Sequence, residues 1–333
     1  MRVFFTRCIA LWRIITWKKL FNLLLLWFQY ILSALSGRYI RTARIHSIAI
    51  EPCNICQLHC PECPSGNGSL QRAKGMISPS LFYDIIDTTS PYLTNLTLYF
   101  QGEPFLHPSI IDMISYAVKK NIYVNTSTNA QCITPELATS IVNTRLHRII
   151  ISMDGLTQTD YAQYRIGGSL QRTLDAINLL NKAKKEHHSS FPHIEVQCLI
   201  LSTTENHLKD IRSLALAAGA DSVTFKSAQF YHLQSELMPQ KKHSNNRYEH
   251  TAQGEIIRKA SRRRACYRAW NSIVITWDGK VVPCCFDKDA QYTYSTWNGD
   301  FWRKMNSNNN YKNLLSTLLK NRKSIPMCNN CNV

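Results

Sequence analysis

The sequence predicts an α/β fold organised around a parallel sheet. From Ser47 onward, six short apolar stretches alternate with five longer segments of helical periodicity, the pattern of parallel strands joined by crossover helices. The composition agrees: 333 residues, 44% hydrophobic and 18% charged, describe a globular chain long enough for one large domain and a smaller one. Finally, cysteines, a carboxylate, small polar residues and an arginine each follow an apolar stretch. In such folds these loops share the carboxyl edge of the sheet.

The first element is an apolar run over residues 20–35, broken only by Asn22, Gln29 and Ser33. On a helix, Lys18, Asn22, Gln29 and Ser33 share a narrow arc, and Leu, Phe, Trp, Tyr and Ile fill the rest. The run is shorter than the ~20 residues of a full span. Arg13, Lys18 and Lys19 precede it, Arg38, Arg41 and Arg44 follow it, and Trp12, Trp17, Trp27 and Tyr30 suit a headgroup layer. The expectation is a membrane-associating arm over residues 1–45, as a surface helix or helical hairpin. Packing on the protein's own core, a single span and a secretory signal are the alternatives. Export would carry the downstream cysteines to an oxidising compartment.

The strand candidates are residues 47–51, 95–100, 122–125, 148–152, 193–199 and 222–226. The helices between them are 79–88, 108–120, 134–143, 170–185 and 205–218. The loop after the first strand carries Cys56, Cys60 and Cys63, a C-x3-C-x2-C spacing, with Cys53 just before. Three thiolates this close can ligate three irons of a cubane and leave the fourth without a protein ligand. With Cys53, a four-thiolate zinc site is equally open. Gln101, Gly102, Glu103 and Pro104 follow the second strand, and Thr126, Ser127, Thr128 and Asn129 the third. Ser152, Met153, Asp154 and Gly155 follow the fourth, and then Tyr164 and Arg165. An acceptor, small polar groups and a cation on one edge are what a zwitterionic amino acid joined to a ribose requires.

In order and spacing this set resembles the radical S-adenosylmethionine (SAM) enzymes. The resemblance implies a partial (β/α)6 TIM-like barrel over residues 46–232, with a [4Fe–4S] cluster on Cys56, Cys60 and Cys63. SAM would chelate the open iron and be cleaved reductively to a 5′-deoxyadenosyl radical. Gly102 and Glu103 would hold the SAM amino group, and Thr128 and Asn129 would lie near the ribose. Ser152 and Asp154 would sit at another SAM-contacting strand end, and Arg165 would meet the SAM carboxylate. Gln101 replaces a glycine often found first in the family's glycine–glutamate motif. Cys53 replaces a small residue and reads as a packing thiol. Electrons would come from a flavodoxin- or ferredoxin-type partner.

Residues 233–265 are polar and basic, a connector or ordered loop. Its Arg262, Arg263 and Arg264 read as a solvated face or a phosphate contact. Beyond it lie Cys266, Cys284, Cys285, Cys328 and Cys331. Asp278-Gly279 marks a hairpin that delivers Cys284 beside Cys266, and a helix over 311–320 returns the Cys328-x2-Cys331 pair. Four such thiolates can hold zinc or a cluster. Residues 266–333 resemble the SPASM and shorter twitch domains of radical SAM enzymes. By that resemblance Cys266, Cys284, Cys328 and Cys331 ligate one auxiliary [4Fe–4S] cluster, with Cys285 the rival of Cys284. Cys8, Cys132 and Cys198 lack metal spacing.

The net charge of +17 gathers in the N-terminal arm and in residues 241–268. Anionic lipid, an acidic peptide or nucleic acid would answer it; with no recognisable RNA-binding module, nucleic acid ranks last. The expected activity is SAM cleavage and hydrogen abstraction from a substrate, ending in net oxidation or in peptide or protein maturation. Oxidation of a sugar, alcohol or lipid-linked glycan, and tRNA modification, are alternatives; a membrane-bound metal-binding scaffold is the non-enzymatic one. An auxiliary cluster with no open iron would accept or relay an electron, or hold its domain together. Lys226, ending the sixth strand, is expected at the barrel mouth. The expected location is the cytoplasm, peripheral at the inner face of the membrane.

Overall fold

The computed structural model describes residues 14–231, 235–241, 247–250, 256–259, 265–329 and 331. Cys8, Trp12, Arg13, Arg262, Arg263 and Arg264 lie outside the described residues. Helix α1 (Trp17–Ser36) precedes the sheet. Strands β1 (Ser47–Ile50), β2 (Asn95–Thr97), β3 (Tyr123–Thr128), β4 (Arg148–Ser152), β5 (His193–Ile200) and β6 (Ser222–Ser227) then pair in sequence, all parallel.

Side chains alternate along each strand, and the alternation gives the sheet two unlike faces. Ile48, Leu96, Val124, Ile149 and Val196 face the helices and lie in the main core. Ser47, Asn95, Asn125, Arg148 and Glu195 take the opposite, concave face. There Asn95 Nδ2 donates to Ser47 Oγ at 3.0 Å and Asn125 Nδ2 to the Leu96 carbonyl at 3.0 Å. A polar inner face marks the interior as a working space rather than a packed core.

The crossover helices are α2 (Pro79–Thr89), α3 (Ile110–Lys119), α4 (Pro135–Asn143), α5 (Gln158–Tyr164), α6 (Leu170–Glu186) and α7 (Leu208–Ala217). Ser78, Thr134 and Ser169 cap their helices by accepting from Leu81, Leu137 and Arg172 N–H groups, each worth about 1 kcal/mol. Helix α5 was not expected from periodicity. Its seven residues carry too few turns for a pattern, and a capping box of Thr157 and Asp160 starts it.

Within the basic connector, β7 (Tyr248–His250) and β8 (Ile256–Arg258) pair antiparallel. After the short α8 (Tyr267–Asn271), strand β9 (Ser272–Ile275) pairs parallel with β1. Strands β10 (Lys280–Val282) and β11 (Ser295–Thr296) extend the sheet antiparallel, giving the order β11-β10-β9-β1-β2-β3-β4-β5-β6. The expected Asp278-Gly279 hairpin is present, and it continues the barrel sheet. The C-terminal cysteines are thereby fixed to the same framework as the first cysteine loop. Helices α9 (Gly299–Lys304), α10 (Asn309–Asn321) and the short α11 (Pro326–Asn329), which includes Cys328, follow.

One expectation about α1 is corrected. Lys19, Asn22, Leu26, Gln29 and Ser33 form the buried stripe, so Lys19 replaces Lys18 on it. The alternating three- and four-residue spacing that includes Asn22 and Ser33 falls on position 19. Lys18 instead lies over the Tyr92 ring, 4.6 Å from its centroid.

Candidate active site

The first cysteine loop leaves the carboxyl end of β1. Cys53 Sγ is buried and donates to the Glu103 carbonyl at 3.1 Å, which makes it a packing thiol tying this loop to the one after β2. Downstream, Cys63 N donates to Cys60 O at 3.1 Å and Gly66 N to Cys63 O at 2.8 Å, so the chain wraps around Cys60. A Cβ on Gly66 would stand 2.7 Å from Cys60 N, which excludes any side chain there. Donors surround the sulfurs: Leu58 N is 3.5 Å and Asn129 Nδ2 3.6 Å from Cys56 Sγ, and Arg165 Nη1 is 3.7 Å from Cys60 Sγ. Burial pushes the Cys56 thiol up to about 11, and neighbouring Cys60 and Cys63 add to it. Burial also raises Cys60, against the pull of Arg165. Thiolates gathered here call for a compensating cation. Among the described residues, no three His, Cys, Asp or Glu side chains close on a point as ligands of one metal ion do. Thiolates on a cubane bind separate irons and need not.

The loops after β2, β3 and β4 converge beside these thiols. Gly102 has φ +74°, and a Cβ there would lie 2.6 Å from the Cys53 carbonyl and 2.7 Å from that of Ile55. Only glycine lets the two loops meet this closely. Buried Glu103 accepts from Thr128 Oγ1 at 2.8 Å, Phe105 N at 3.1 Å and Asn129 N at 2.8 Å. A carboxylate has about four acceptor positions, so one remains for an ammonium group. Burial pushes its pKa up while these three donors pull it down. Asn129 also accepts from Gln57 Nε2 at 3.2 Å, linking the ribose-side candidate to the cysteine loop. Ser152 ends β4 on the concave face, two residues before Asp154. Asp154 accepts from Leu199 N and from Arg165 Nε, each at 2.6 Å. Burial opposes the charge on Arg165, but Asp154 and Cys60 hold it firmly protonated. The structure therefore brings together Gly102, Glu103, Thr128, Asn129, Asp154 and Arg165 around Cys56 and Cys60.

A second cysteine group lies across the sheet. Cys266, Cys284, Cys328 and Cys331 line one small cavity beside Arg322 and Met327, and Cys285 is absent from its lining. Cys285 is exposed and accepts from Arg268 Nη1 at 3.3 Å. The four-thiol set fits a fully ligated cluster, with Cys284 favoured over its neighbour. Cys132 and Cys198 take other places: Cys132 meets Gln57 Nε2 at 3.3 Å, and buried Cys198 donates to the Leu199 carbonyl at 3.3 Å.

A cavity of about 600 Å³ opens beside the auxiliary thiols Cys266 and Cys284. Ser47, Ala49, Asn95 and Thr97 line its sheet side, Tyr99 and Phe100 its upper end, and Cys266, Arg268, Cys284 and Cys285 the opposite wall. Arg148, Glu195 and Arg268 all act electrostatically on Tyr99. Sequence reasoning missed Arg148. In β4, period-two alternation places it on the same face as Ser152, and that signal was legible.

The family described as the radical SAM superfamily matches residues 50–211, and the SPASM iron-sulfur cluster-binding domain matches residues 266–332. The chain belongs to the radical SAM superfamily. It is an enzyme whose cofactors are a catalytic [4Fe–4S] cluster, SAM and an auxiliary cluster. This radical SAM enzyme is 29% identical to the mycofactocin maturase of Mycobacterium tuberculosis over 165 residues, which span 50% of this chain and 40% of that protein. It is 24% identical to the PqqA peptide cyclase of Streptomyces rochei over 257 residues, 71% of this chain and 68% of that one. The structure of Streptococcus suis SuiB bound to its precursor peptide SuiA has a TM-score of 0.62 at 12% identity, over 87% of this chain and 70% of that one. That likeness is one of fold: a partial TIM-like barrel with a C-terminal cluster domain.

Proposed function

We propose that this radical SAM enzyme matures a peptide by oxidising a residue held in the barrel interior. The observation that carries this is the position of the 600 Å³ cavity. It runs from the auxiliary thiols to Tyr99 and Phe100, directly before the Gly102 and Glu103 loop. A substrate there would touch the auxiliary thiols and the two residues that lead into the Gly102 and Glu103 loop. The relatedness to a mycofactocin maturase and a PqqA peptide cyclase supports a peptide.

Cys56, Cys60 and Cys63 would hold the catalytic cluster, with Glu103, Asn129 and Arg165 on SAM; Cys266, Cys284, Cys328 and Cys331 would hold the auxiliary cluster. When bound, these groups supply a hydrogen-abstracting radical and an electron acceptor. The chain's own contribution is placement. Arg148 is paired to Glu195 at 2.6 Å, and Lys226 faces Arg148, Arg268 and Arg247 with Glu195 as the counter-charge. Several cations around one carboxylate orient an anionic group of the substrate. Desolvation lowers the pKa of Lys226, and Arg148 lowers it further; the charge of a bound carboxylate would oppose that lowering. A flavodoxin- or ferredoxin-type protein is the proposed reductant.

The test uses anaerobically reconstituted enzyme, SAM, dithionite and short peptides encoded beside its gene. A peptide that loses two hydrogens by mass while 5′-deoxyadenosine forms supports the reading. If 5′-deoxyadenosine forms only with a sugar alcohol or lipid-linked glycan, the second reading, dehydrogenation, replaces it. One contact favours that second reading: Tyr30 of α1 packs edge-on against Tyr267, centroids 5.0 Å apart, and Tyr267 lines the cavity.

A further inference from the structure

Helix α1 is amphipathic with its faces reversed. In a soluble helix the apolar stripe turns inward and the polar face meets water. Here four of the five buried residues, Lys19, Asn22, Gln29 and Ser33, are polar. Lys19 is bonded to the barrel body, and the other three to residues 40–44, the chain that leads from the helix into β1. Lys19 Nζ donates to the Asn121 carbonyl at 2.7 Å. Asn22 exchanges two 2.8 Å bonds with the Arg44 backbone. Gln29 donates to Thr42 Oγ1 at 2.7 Å and accepts from Thr42 N at 2.9 Å and Ala43 N at 3.1 Å. Ser33 Oγ bonds both the carbonyl and the N–H of Ile40, at 3.1 and 3.0 Å.

The outer face is the apolar one. Trp17 is 86% exposed and Leu35, five turns away, 81%; Phe21, Leu24, Trp27, Phe28 and Leu32 are exposed between them. Ile40, beyond the helix end, is exposed as well. A contiguous apolar surface of this kind marks a docking site.

Three features choose the occupant. Residues 1–50 contain eight Lys and Arg and no Asp or Glu, and Lys18 and Arg38 stand exposed at the two ends of α1. Trp17 and Trp27 lie on the outer face, where an indole can place its ring in acyl chains and its N–H among headgroups. The polar stripe is anchored along its length, so the helix cannot turn perpendicular and bury itself in hydrocarbon without exposing those groups. A second copy of this face would bring like charges together at the helix ends.

We propose that α1 is an in-plane docking surface for an anionic lipid bilayer, with its outer residues in the acyl boundary and its inner residues on the catalytic body. The proposal stands apart from the substrate reading, because it rests on residues outside the cavity and outside both cysteine groups.

The test is co-sedimentation of the reconstituted full chain with vesicles. Binding is expected to phosphatidylcholine vesicles containing one quarter phosphatidylglycerol, weaker binding to phosphatidylcholine alone, and partial release by salt. Trp27→Glu with Phe28→Glu should weaken binding by about tenfold or more, with iron content and 5′-deoxyadenosine formation unchanged. A milder pair, Trp27→Ser with Phe28→Ser, should shift binding the same way if the acidic pair folds poorly. Three outcomes overturn the proposal. One is equal binding by both variants. Another is a concentration-dependent dimer, lost in the variants, with no lipid binding. The third is protein that leaves the membrane only with detergent and resists alkaline extraction, which would make α1 a spanning helix.

Discussion

Arg72 holds the buried Glu51 carboxylate with two parallel hydrogen bonds, Nη1 to Oε2 at 2.8 Å and Nη2 to Oε1 at 2.7 Å. Trp277 N donates to the same Oε2 at 3.1 Å, and Arg72 Nε reaches the Lys288 carbonyl at 2.6 Å. One ion pair therefore joins the end of β1, the chain beyond the first cysteine loop and the hairpin that carries Cys284. Removing one partner strands the other charge in the interior. Arg72→Met is expected to destabilise the enzyme by about 3–5 kcal/mol, seen as a lower melting temperature and reduced iron per chain. A variant that melts with the wild type would show that this pair does not connect the two regions energetically.

Arg165 is positioned rather than merely present. Asp154 takes its Nε and its Nη1 reaches Cys60 Sγ; on the proposed reading the guanidinium also meets the SAM carboxylate. A lysine offers a point charge and cannot span both. Arg165→Lys is expected to weaken SAM binding by about tenfold or more, with iron content unchanged. Equilibrium binding of SAM to the reconstituted cluster measures this, and unchanged affinity would remove Arg165 from the SAM site.

How far the sequence revealed these relations depends on their range. The six barrel strands were legible because each is a short apolar run followed by a polar loop, and β4 begins and ends at the expected residues, Arg148 and Ser152. The convergence of Glu103, Asn129 and Arg165 on the cysteine loop followed from strand order alone. The pairing of β9 with β1 did not, since Ser272–Ile275 reads the same whether it joins the barrel or a separate lobe. The Glu51–Arg72 pair was invisible for a similar reason: nothing local marks which of many arginines meets a buried carboxylate. On α1, the polar stripe was visible, but only the hydrogen bonds to Thr42, Ala43 and Ile40 show that it faces inward.

Cys284 and Cys285 are adjacent, and the structure separates them. Both line the larger cavity, but only Cys284 also lines the small one with Cys266, Cys328 and Cys331, while Cys285 accepts from Arg268. Cys284→Ala is expected to lower iron from about eight to about four per chain while 5′-deoxyadenosine formation persists. Cys285→Ala is expected to leave iron near eight. The reverse result would exchange their roles.

His147 is held neutral by the fold. Val124 N donates to its Nδ1 at 3.1 Å, and the ring packs between Tyr123 and Phe191, centroids 4.8 and 5.4 Å away. Burial pushes its pKa down to about 4, and Arg145 lowers it further. An unfolded histidine titrates near 6.5, so between these values the unfolded chain binds more protons. The stability that His147 contributes is thus complete above about pH 6.5 and is lost as pH falls toward about 4. His147→Asn keeps an acceptor for Val124 N but cannot be protonated in this range. Its melting temperature should fall below that of the wild type near neutral pH, and the gap should narrow as pH drops toward about 5. His46, also pushed down to about 4 by burial, leaves part of the acid sensitivity in the variant. A gap that stays constant with pH would mean that His147 is protonated within the fold.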